Sequence, residues 1–155
     1  MTDKSAFSDE EWHALTEAPM LVTAVMYLAG EHGPISMMKE ASASAHAVTQ
    51  PGERGAANAL IGEIVAVATT KEVRKELQQE MKEHRGPTVQ VAIDGAIAEL
   101  APAAAALKKL PADESGAVAG WFVDIAKSIA GSAKTVNPTE QASIDKIAAV
   151  FGVTG

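Results

Sequence analysis

Apolar residues recur along most of this chain three and four positions apart, which is the period of an amphipathic helix. The first such run ends near residue 29, and its spaced apolar positions are Trp12, Leu15, Val22, Val25, Met26 and Ala29. No segment shows the sustained alternation of apolar and polar residues that marks a half-buried strand. The pattern therefore predicts an all-α fold.

Helix start signals are clearest near the N-terminus. Ser8 and Glu11 have the spacing of a capping box, and Phe7 with Trp12 has the form of the hydrophobic staple that accompanies it. The first helix is therefore predicted to begin at Ser8. Pro19 lies inside this helix, and we expect a kink there or a break into two helices.

Later stop and start signals divide the rest of the chain. Helical patterns cover about residues 35–48, 55–69, 71–85, 87–100, 111–130 and 138–151, and Gly152 ends the last of them. Residues 55–69 are apolar nearly all round, which is typical of a central helix. We expect one domain, residues 1–155, in which six or seven helices pack around residues 55–69 and 117–130.

The composition narrows the functional classes. Apolar residues make up 47% of the chain and aromatic residues 4%, so the core is expected to consist of Ala, Val, Ile, Leu and Met. The net charge of −7 argues against binding nucleic acid or anionic membranes, which needs positive surface. The absence of cysteine excludes thiolate nucleophiles and cysteine-ligated metals. Because no apolar stretch reaches the roughly 20 residues of a membrane span, and the N-terminus lacks an apolar leader, a cytoplasmic location is expected.

The strongest metal candidate is the first interhelical loop. Glu31 lies beside His32 in this loop, and Glu40 lies on the helix predicted to follow it. Acidic side chains on a loop and the next helix can together bind a hard divalent cation through oxygen. Since the loop lacks the alternating Asp residues of an EF-hand, a weak site or no site is the alternative interpretation.

A second set of titratable residues lies on the first helix. Glu10 and His13 match half of a di-iron carboxylate signature, and Glu17 follows one turn later on the same face. A bundle di-metal site needs a second Glu-x-x-His pair, which this chain does not contain. We therefore interpret these residues as a solvated acidic face near a helix N-terminus.

Three further carboxylates, those of Glu63, Asp94 and Asp124, each lie within apolar helical sequence. If two of them met in the core, one would have a raised pKa and could act as an acid or bind an ion. The more frequent arrangement, which we expect here, is that each side chain points outward or pairs with a nearby cation. Lys127 is such a cation for Asp124.

Two patterns indicate binding rather than catalysis. Methionines at helical spacing are usually core residues, but they can also line a pocket for a small apolar ligand. The set here is Met20, Met26, Met37, Met38 and Met81. The charged helix predicted over residues 71–85 has a single apolar stripe of Val73, Leu77 and Met81. Because so thin a stripe buries little area, we expect this helix to be the least stable one in the monomer, or else to be completed by a second chain or a partner protein.

Two blocks of the sequence resemble the bacterial TerB-like proteins of the tellurite-resistance group. They are residues 29–36 with the following Lys39-Glu40, and residues 138–153. The opening of the chain, residues 7–12 with Ala18-Pro19, is more similar to a related uncharacterised bacterial helical family. The resemblance implies an all-α bundle linked to stress response that binds a divalent cation through acidic residues, by position Glu31 and Glu40. The family usually has Asp-Gly where this chain has Glu31-His32-Gly33.

No motif specific to a reaction, a cofactor or a nucleic acid is present. No serine lies in a Gly-x-Ser-x-Gly elbow, and no glycine-rich phosphate loop with its Lys-Ser/Thr occurs. We therefore expect a non-enzymatic cytoplasmic module that acts through protein contacts, with the weak divalent cation binding that the resemblance implies. The alternative is a carrier that holds a small apolar ligand between helices.

Overall fold

The computed structural model describes residues 4–29, 45–50, 52, 55–72, 75, 79, 89–131 and 138–153. Within these residues the secondary structure is helical and contains no strand, so the predicted all-α bundle is confirmed. The α-helices are α1 (Asp9–Ala29), α2 (Asn58–Ala68), α3 (Val89–Ala98), α4 (Ala101–Leu107), α5 (Ala112–Gly131) and α6 (Pro138–Phe151). Residues 45–49 are also helical, and short 3-10 turns cover Lys4–Ala6 and Gly55–Ala57.

The start of α1 has the predicted cap. The Glu11 backbone N–H donates to Ser8 Oγ at 3.2 Å, and the Ser8 N–H donates to Glu11 Oε1 at 2.8 Å. The rings of Phe7 and Trp12 stack with centroids 6.2 Å apart. The capping box and the hydrophobic staple are therefore both confirmed, and they define how the chain enters the helix.

The proline inside α1 does not break it, because the helix continues unbroken from Asp9 to Ala29. Pro19 has no N–H, so the Leu15 carbonyl receives no helical hydrogen bond from it. One turn later the Thr23 hydroxyl donates to the Pro19 carbonyl at 2.9 Å. Pro19 and Thr23 are both buried, so packing around α1 offsets the roughly 3 kcal/mol that an interior proline costs a helix.

The centre of the bundle is α1, which contacts all five of the other α-helices. From Leu15 to Met26 every side chain is buried except that of Met20, which is half-buried, and those of Leu15, Val22, Val25 and Met26 have no exposed surface. A helix that is surrounded by other helices is apolar on most sides, so this part of α1 lacks the polar face of an amphipathic surface helix. The second central helix is α5, which contacts α1, α4, α6 and the Gly55–Ala57 turn.

Helix α2 lies further out than its sequence indicates. It buries Leu60, Ile61, Ile64 and Ala68 on one side only. Its other side exposes Glu63 together with small residues, namely Asn58, Ala59, Gly62 and Ala66. Residues 55–69 are thus not a helix buried all round, because alanine and glycine contribute to an apolar pattern whether or not they are buried. Residues 117–130, by contrast, lie in a central helix, as expected.

Helices α3 and α4 follow each other with only a short interruption. Leu100, between them, has helical dihedral angles, φ −78° and ψ −15°, and its N–H donates to the Ile97 carbonyl at 3.0 Å. Pro102 causes the interruption, since it has no N–H for the Ala98 carbonyl and its ring crowds that carbonyl. The two helices therefore present one nearly continuous inner side, and its buried residues are Ile93, Ile97, Leu100, Ala103, Ala106 and Leu107.

One stretch of the described chain, Gln90–Leu107, is long and apolar enough to cross a membrane when judged by length and composition alone. It covers most of α3 and all of α4, and 33% of it is buried inside the bundle. Core helices pass the same test. The stretch is therefore only a weak indication of a membrane span.

The last helix ends as the sequence predicts, at a glycine with left-handed backbone. Gly152 has φ +70°, its N–H donates to the Ala149 carbonyl at 3.2 Å, and the Val153 N–H donates to the Ala148 carbonyl at 2.9 Å. This pair of bonds is the Schellman motif, which requires a positive φ at the residue after the cap. Glycine adopts that conformation without steric cost.

Replacing Gly152 with alanine is expected to lower the free energy of unfolding by about 1 kcal/mol, because an L side chain is disfavoured at this φ. Gly62, in the middle of α2, is the matched control. It has no neighbouring atom within 4 Å of an added Cβ and no positive φ. Gly62→Ala is therefore expected to raise the free energy of unfolding by about 0.5–1 kcal/mol. Urea denaturation followed by circular dichroism measures both changes in the free energy of unfolding. A change of the same sign in the two variants would contradict the left-handed conformation assigned to Gly152.

Candidate functional site

The predicted metal ligands, Glu31 and Glu40, lie outside the described residues, so their cation site stays a prediction. Within the described part of the chain, no three His, Asp or Glu side chains come together in an arrangement that could hold a metal ion. The candidate metal site therefore still depends on the sequence positions of Glu31 and Glu40 and on the resemblance.

The acidic face predicted on α1 is confirmed at two positions and wrong at the third. Glu10 and His13 are exposed, but Glu17 is buried, with 7% of its surface exposed. Its Oε1 lies 3.1 Å from His13 Nε2, one turn away. The prediction fails at Glu17 because the side chains from Leu15 to Pro19 are all buried, whichever way they point from α1. A face that is solvated in the first two turns therefore becomes buried in the third.

The three carboxylates in apolar sequence do not share a buried site. Glu63 is exposed, and its Oε2 accepts a hydrogen bond from the Lys4 backbone N–H at 3.1 Å. Asp94 is exposed and Asp124 is half-buried. The outward orientation predicted for Glu63 and Asp94 is confirmed.

Asp94 forms an ion pair with a lysine of another helix. Lys146 Nζ of α6 lies 3.0 Å from Asp94 Oδ1, and Gln90 Nε2 donates to the same oxygen at 3.0 Å. The hydrogen bond from Lys146, then that from Gln90, lowers the pKa of the Asp94 carboxyl below its ordinary value of 3.8. A similar ion pair joins Lys109, after α4, to Glu11 in the first turn of α1, and it lowers the pKa of Glu11.

The Asp94 ion pair predicts a pH-dependent stability. Because the folded-state pKa is lowered, the stabilisation is complete above the ordinary value of 3.8 and is lost as the pH falls through the lower folded value. Asp94→Asn is therefore expected to reduce the melting temperature slightly near neutral pH and to match the parent protein in strong acid. Thermal denaturation over a pH series measures this.

Asp145 is the matched control for that series. It lies on α6, accepts a hydrogen bond from Gln141 Nε2 at 3.0 Å, and makes no cross-helix ion pair with any described residue. Asp145→Asn is expected to show a smaller change with pH than Asp94→Asn. A constant difference between Asp94→Asn and the parent protein at every pH would contradict a stabilising ion pair.

The two predicted binding patterns lie mostly outside the described residues. Met26 is fully buried in the core and Met20 is half-buried, which confirms the core interpretation for Met26. The remaining methionines, Met37, Met38 and Met81, are not described, and the apolar carrier stays a prediction. The partner stripe of Val73, Leu77 and Met81 also lies outside the described residues.

A different surface is the most distinctive one in the described structure. Along α3 and α4, exposed apolar residues follow one another at intervals of four and three; they are Val91, Gly95, Ala98, Pro102 and Ala105. We call this set the α3–α4 outer face. At 49% exposure, Val91 is the only large hydrophobic side chain that is exposed among the described residues. From 95 to 105 every exposed residue is Gly, Ala or Pro.

The same helices are buried on the opposite side, where Ile93, Leu100 and Leu107 have 0–3% of their surface exposed. A helix at the surface of a bundle normally has one apolar side and one charged side. The α3–α4 unit instead has apolar residues on both. Its charges lie at the two ends and the margin: Asp94 and Glu99 on the α3 half, Lys108 and Lys109 after α4.

The sequence does contain this face, but its apolar residues cannot be told apart from those of the core by pattern alone. Every residue from Ala101 to Leu107 is apolar, as are most residues of α3, so an inner and an outer stripe are both present. The structure distinguishes the two stripes, because the inner one is buried in the bundle and the outer one is exposed to solvent. Ile93, Ile97 and Leu100 share one side by helical spacing and are buried, whereas the alanines between them fit either side.

In comparisons with known proteins, no family model, no curated protein and no solved structure matches the chain. The resemblance to TerB-like proteins thus stays a prediction based on the two blocks that suggest it.

Proposed function

We propose that this protein is a cytoplasmic helical module that acts by binding another protein chain, and that the α3–α4 outer face is its contact surface. The observation that supports the proposal is the second apolar side of a helix pair whose first side already forms part of the core. Apolar surface left in water favours association, because burying it is worth roughly 25 cal/mol per Å².

Comparison with another surface helix supports the choice of this face. The outer side of α6 exposes Gln141, Asp145 and Lys146 along with its alanines, as expected for a solvated helix. Between Gly95 and Ala105 the one polar side chain is that of Glu99, which is half-buried at the margin of the α3–α4 outer face. A continuous apolar patch of this kind is typical of a protein contact surface.

The chemistry of the face favours a protein partner. Its side chains are small, so the backbone of another helix can approach closely, and the net charge of −7 opposes nucleic acid. Insertion of α3 and α4 into a membrane would pull Ile93, Leu100 and Leu107 out of the core. The partner is therefore expected to be a helix of comparable shape.

A photoreactive amino acid tests this proposal in the cells that make the protein. Placed at position 98, at the centre of the face, it is expected to give a discrete cross-linked species that mass spectrometry can identify. Position 66, exposed on α2, is the control site. The adduct at position 98 should disappear when Val91→Lys is added. Equal labelling at positions 98 and 66, or no adduct at either, would contradict the proposal.

Stress association and weak cation binding belong to the same proposal and rest on the resemblance to TerB-like proteins. Calorimetric titration with Ca²⁺, Mg²⁺ and Zn²⁺ tests whether the protein binds a divalent cation. Heat of binding that is present in the parent protein and absent in Glu31→Ala would support a role for that carboxylate. Identical titrations of the two proteins would exclude it.

A further inference from the structure

We infer that acid opens the α3–α4 unit, residues 89–107, away from the rest of the bundle, and that two ion pairs hold this unit closed near neutral pH. One pair lies on α3 and the other directly after α4. The inference goes beyond the proposed function, because it concerns how the unit is attached and is independent of what binds its outer face. It follows from the position of the two pairs, from the burial of the unit and from the chemistry of the carboxylates.

The two cross-helix ion pairs attach the same unit to two different helices. Lys146 Nζ of α6 lies 3.0 Å from Asp94 Oδ1 of α3, and Lys109 Nζ, just after α4, lies 2.6 Å from Glu11 Oε1 of α1. Asp94 and Lys109 lie on opposite sides of the interruption at Pro102. We call these two ion pairs the α3–α4 clamps, since they tie the unit to the bundle at two separate points.

The α3–α4 unit is less deeply buried than the centre of the bundle. Of the stretch Gln90–Leu107, 33% is buried, whereas α1 is buried at every position from Leu15 to Met26 except Met20. Segments with few buried contacts and much exposed surface open locally at a lower free-energy cost than the core does. Because the unit is one continuous stretch of chain, it can open while α1 and α5 stay packed against each other.

Falling pH weakens both clamps. The hydrogen bond from Lys109 lowers the pKa of the Glu11 carboxyl below its ordinary value of 4.5, and the hydrogen bond from Lys146 lowers the pKa of Asp94 below 3.8. Because both folded-state pKa values are lowered, each clamp stabilises the closed unit fully above the ordinary value. That stabilisation is lost as the pH falls through the lower folded value. Acid therefore removes both attachments over overlapping ranges of pH.

Other charged residues on the packed elements do not replace the clamps in acid. Those next to the clamps in sequence are Asp9 and Glu10 of α1, Glu99 of α3, Lys108, Asp113 of α5 and Asp145 of α6. Glu99 is half-buried and the other five are exposed. The acidic ones also lose their charge as the pH falls, while the lysines stay positive. Acid therefore weakens every carboxylate–lysine contact around the unit and strengthens none.

A double variant removes both clamps without acid. Asp94→Asn takes away the charge that pairs with Lys146, and Glu11→Gln takes away the charge that pairs with Lys109. Gln at position 11 keeps the capping box with Ser8, because Gln accepts the same backbone hydrogen bond as Glu. In hydrogen exchange of the purified protein near pH 7, followed by mass spectrometry, amides of residues 90–107 are expected to exchange about tenfold faster than in the parent protein, about threefold from each exposed pair. Amides of residues 115–130 in α5 are expected to keep their rate.

The matched control combines Asp145→Asn with Glu10→Gln. These changes remove the same charge from exposed carboxylates of α6 and α1 that form no cross-helix ion pair with any described residue. The control is expected to exchange like the parent protein throughout. If residues 90–107 exchange no faster in the clamp variant than in the control, the ion pairs do not hold the unit. If residues 90–107 and 115–130 accelerate equally, the whole bundle opens and the α3–α4 unit does not move separately.

A pH series gives a readout that a loss of packing would not change. Comparing the parent protein with the clamp variant at each pH cancels the effect of pH on the chemistry of exchange itself. The difference at residues 90–107 is expected to narrow as the pH falls below the ordinary values of 4.5 and 3.8, because the parent then loses its own clamps. Circular dichroism gives the lowest pH at which both proteins keep their helical content. A difference that stays constant down to that pH would overturn the inference.

Discussion

Replacing Trp121 with alanine is expected to lower the free energy of unfolding by about 4 kcal/mol, the largest effect of any single substitution considered for this protein. Trp121 lies on α5 with 1% of its surface exposed, and its ring packs against that of Phe122 with centroids 5.3 Å apart. Its Nε1 donates to the Ala47 carbonyl at 3.1 Å, which fastens helical residues 45–49 to α5. The alanine variant loses the ring, the hydrogen bond and the packing of that segment together.

A phenylalanine at the same position separates these contributions. Trp121→Phe keeps an aromatic ring but removes the donor to the Ala47 carbonyl, so it is expected to cost about 1–2 kcal/mol. Urea denaturation measured by far-UV circular dichroism gives both values without depending on tryptophan fluorescence. A loss of less than about 1 kcal/mol for Trp121→Ala would mean that this side chain is not part of the packed core.

The start of α1 and the end of α6 could be predicted from the sequence because each depends on residues within one or two turns. Ser8 and Glu11 cap each other across three positions, and Gly152 ends α6 through its own backbone conformation. The all-α class follows from the same local signals. Long-range partners have no such signal. Lys146, the cation at Asp94, lies 52 residues away in sequence, and nothing near Asp94 indicates it.

The position of each helix in the bundle could not be predicted, since burial depends on what surrounds a helix. Glu17 has the sequence context of a solvated carboxylate, yet it lies where α1 is enclosed on all sides. Residues 55–69 have the composition of a central helix, yet α2 is exposed along Ala59, Gly62 and Ala66. Both errors arise because small or amphipathic side chains fit a covered and an open position equally well.

The candidate functional surface is affected by the same ambiguity. In an alanine-rich helix the buried and the exposed side are both apolar, so the apolar pattern of the sequence does not distinguish the α3–α4 outer face from the inner side of the same helices. The structure separates the two sides by burial, and the remaining apolar side is what supports a contact with another chain. Prediction of function here therefore depends on deciding which alanines are buried.

Two adjacent alanines of α4 allow that distinction to be measured. Ala106 has no exposed surface and lies on the buried side of α4, a helix that contacts α1, α5 and α6, whereas Ala105 is exposed on the outer face. Ala106→Leu adds three carbon atoms to a filled space, so it is expected to lower the free energy of unfolding by about 2 kcal/mol. Ala105→Leu is expected to change it by less than about 0.5 kcal/mol in dilute protein.

Denaturation of the two variants at low concentration isolates folding from association. Ala149→Leu, at an exposed position of α6 away from the outer face, provides a second control and is expected to behave like Ala105→Leu. A large loss for Ala105→Leu in dilute solution would show that this residue is covered within the monomer, and the α3–α4 outer face would then not be available to a partner. A loss confined to Ala106→Leu would support the inner and outer sides of α4 as the structure has them, because only the inner side lacks room for a larger side chain.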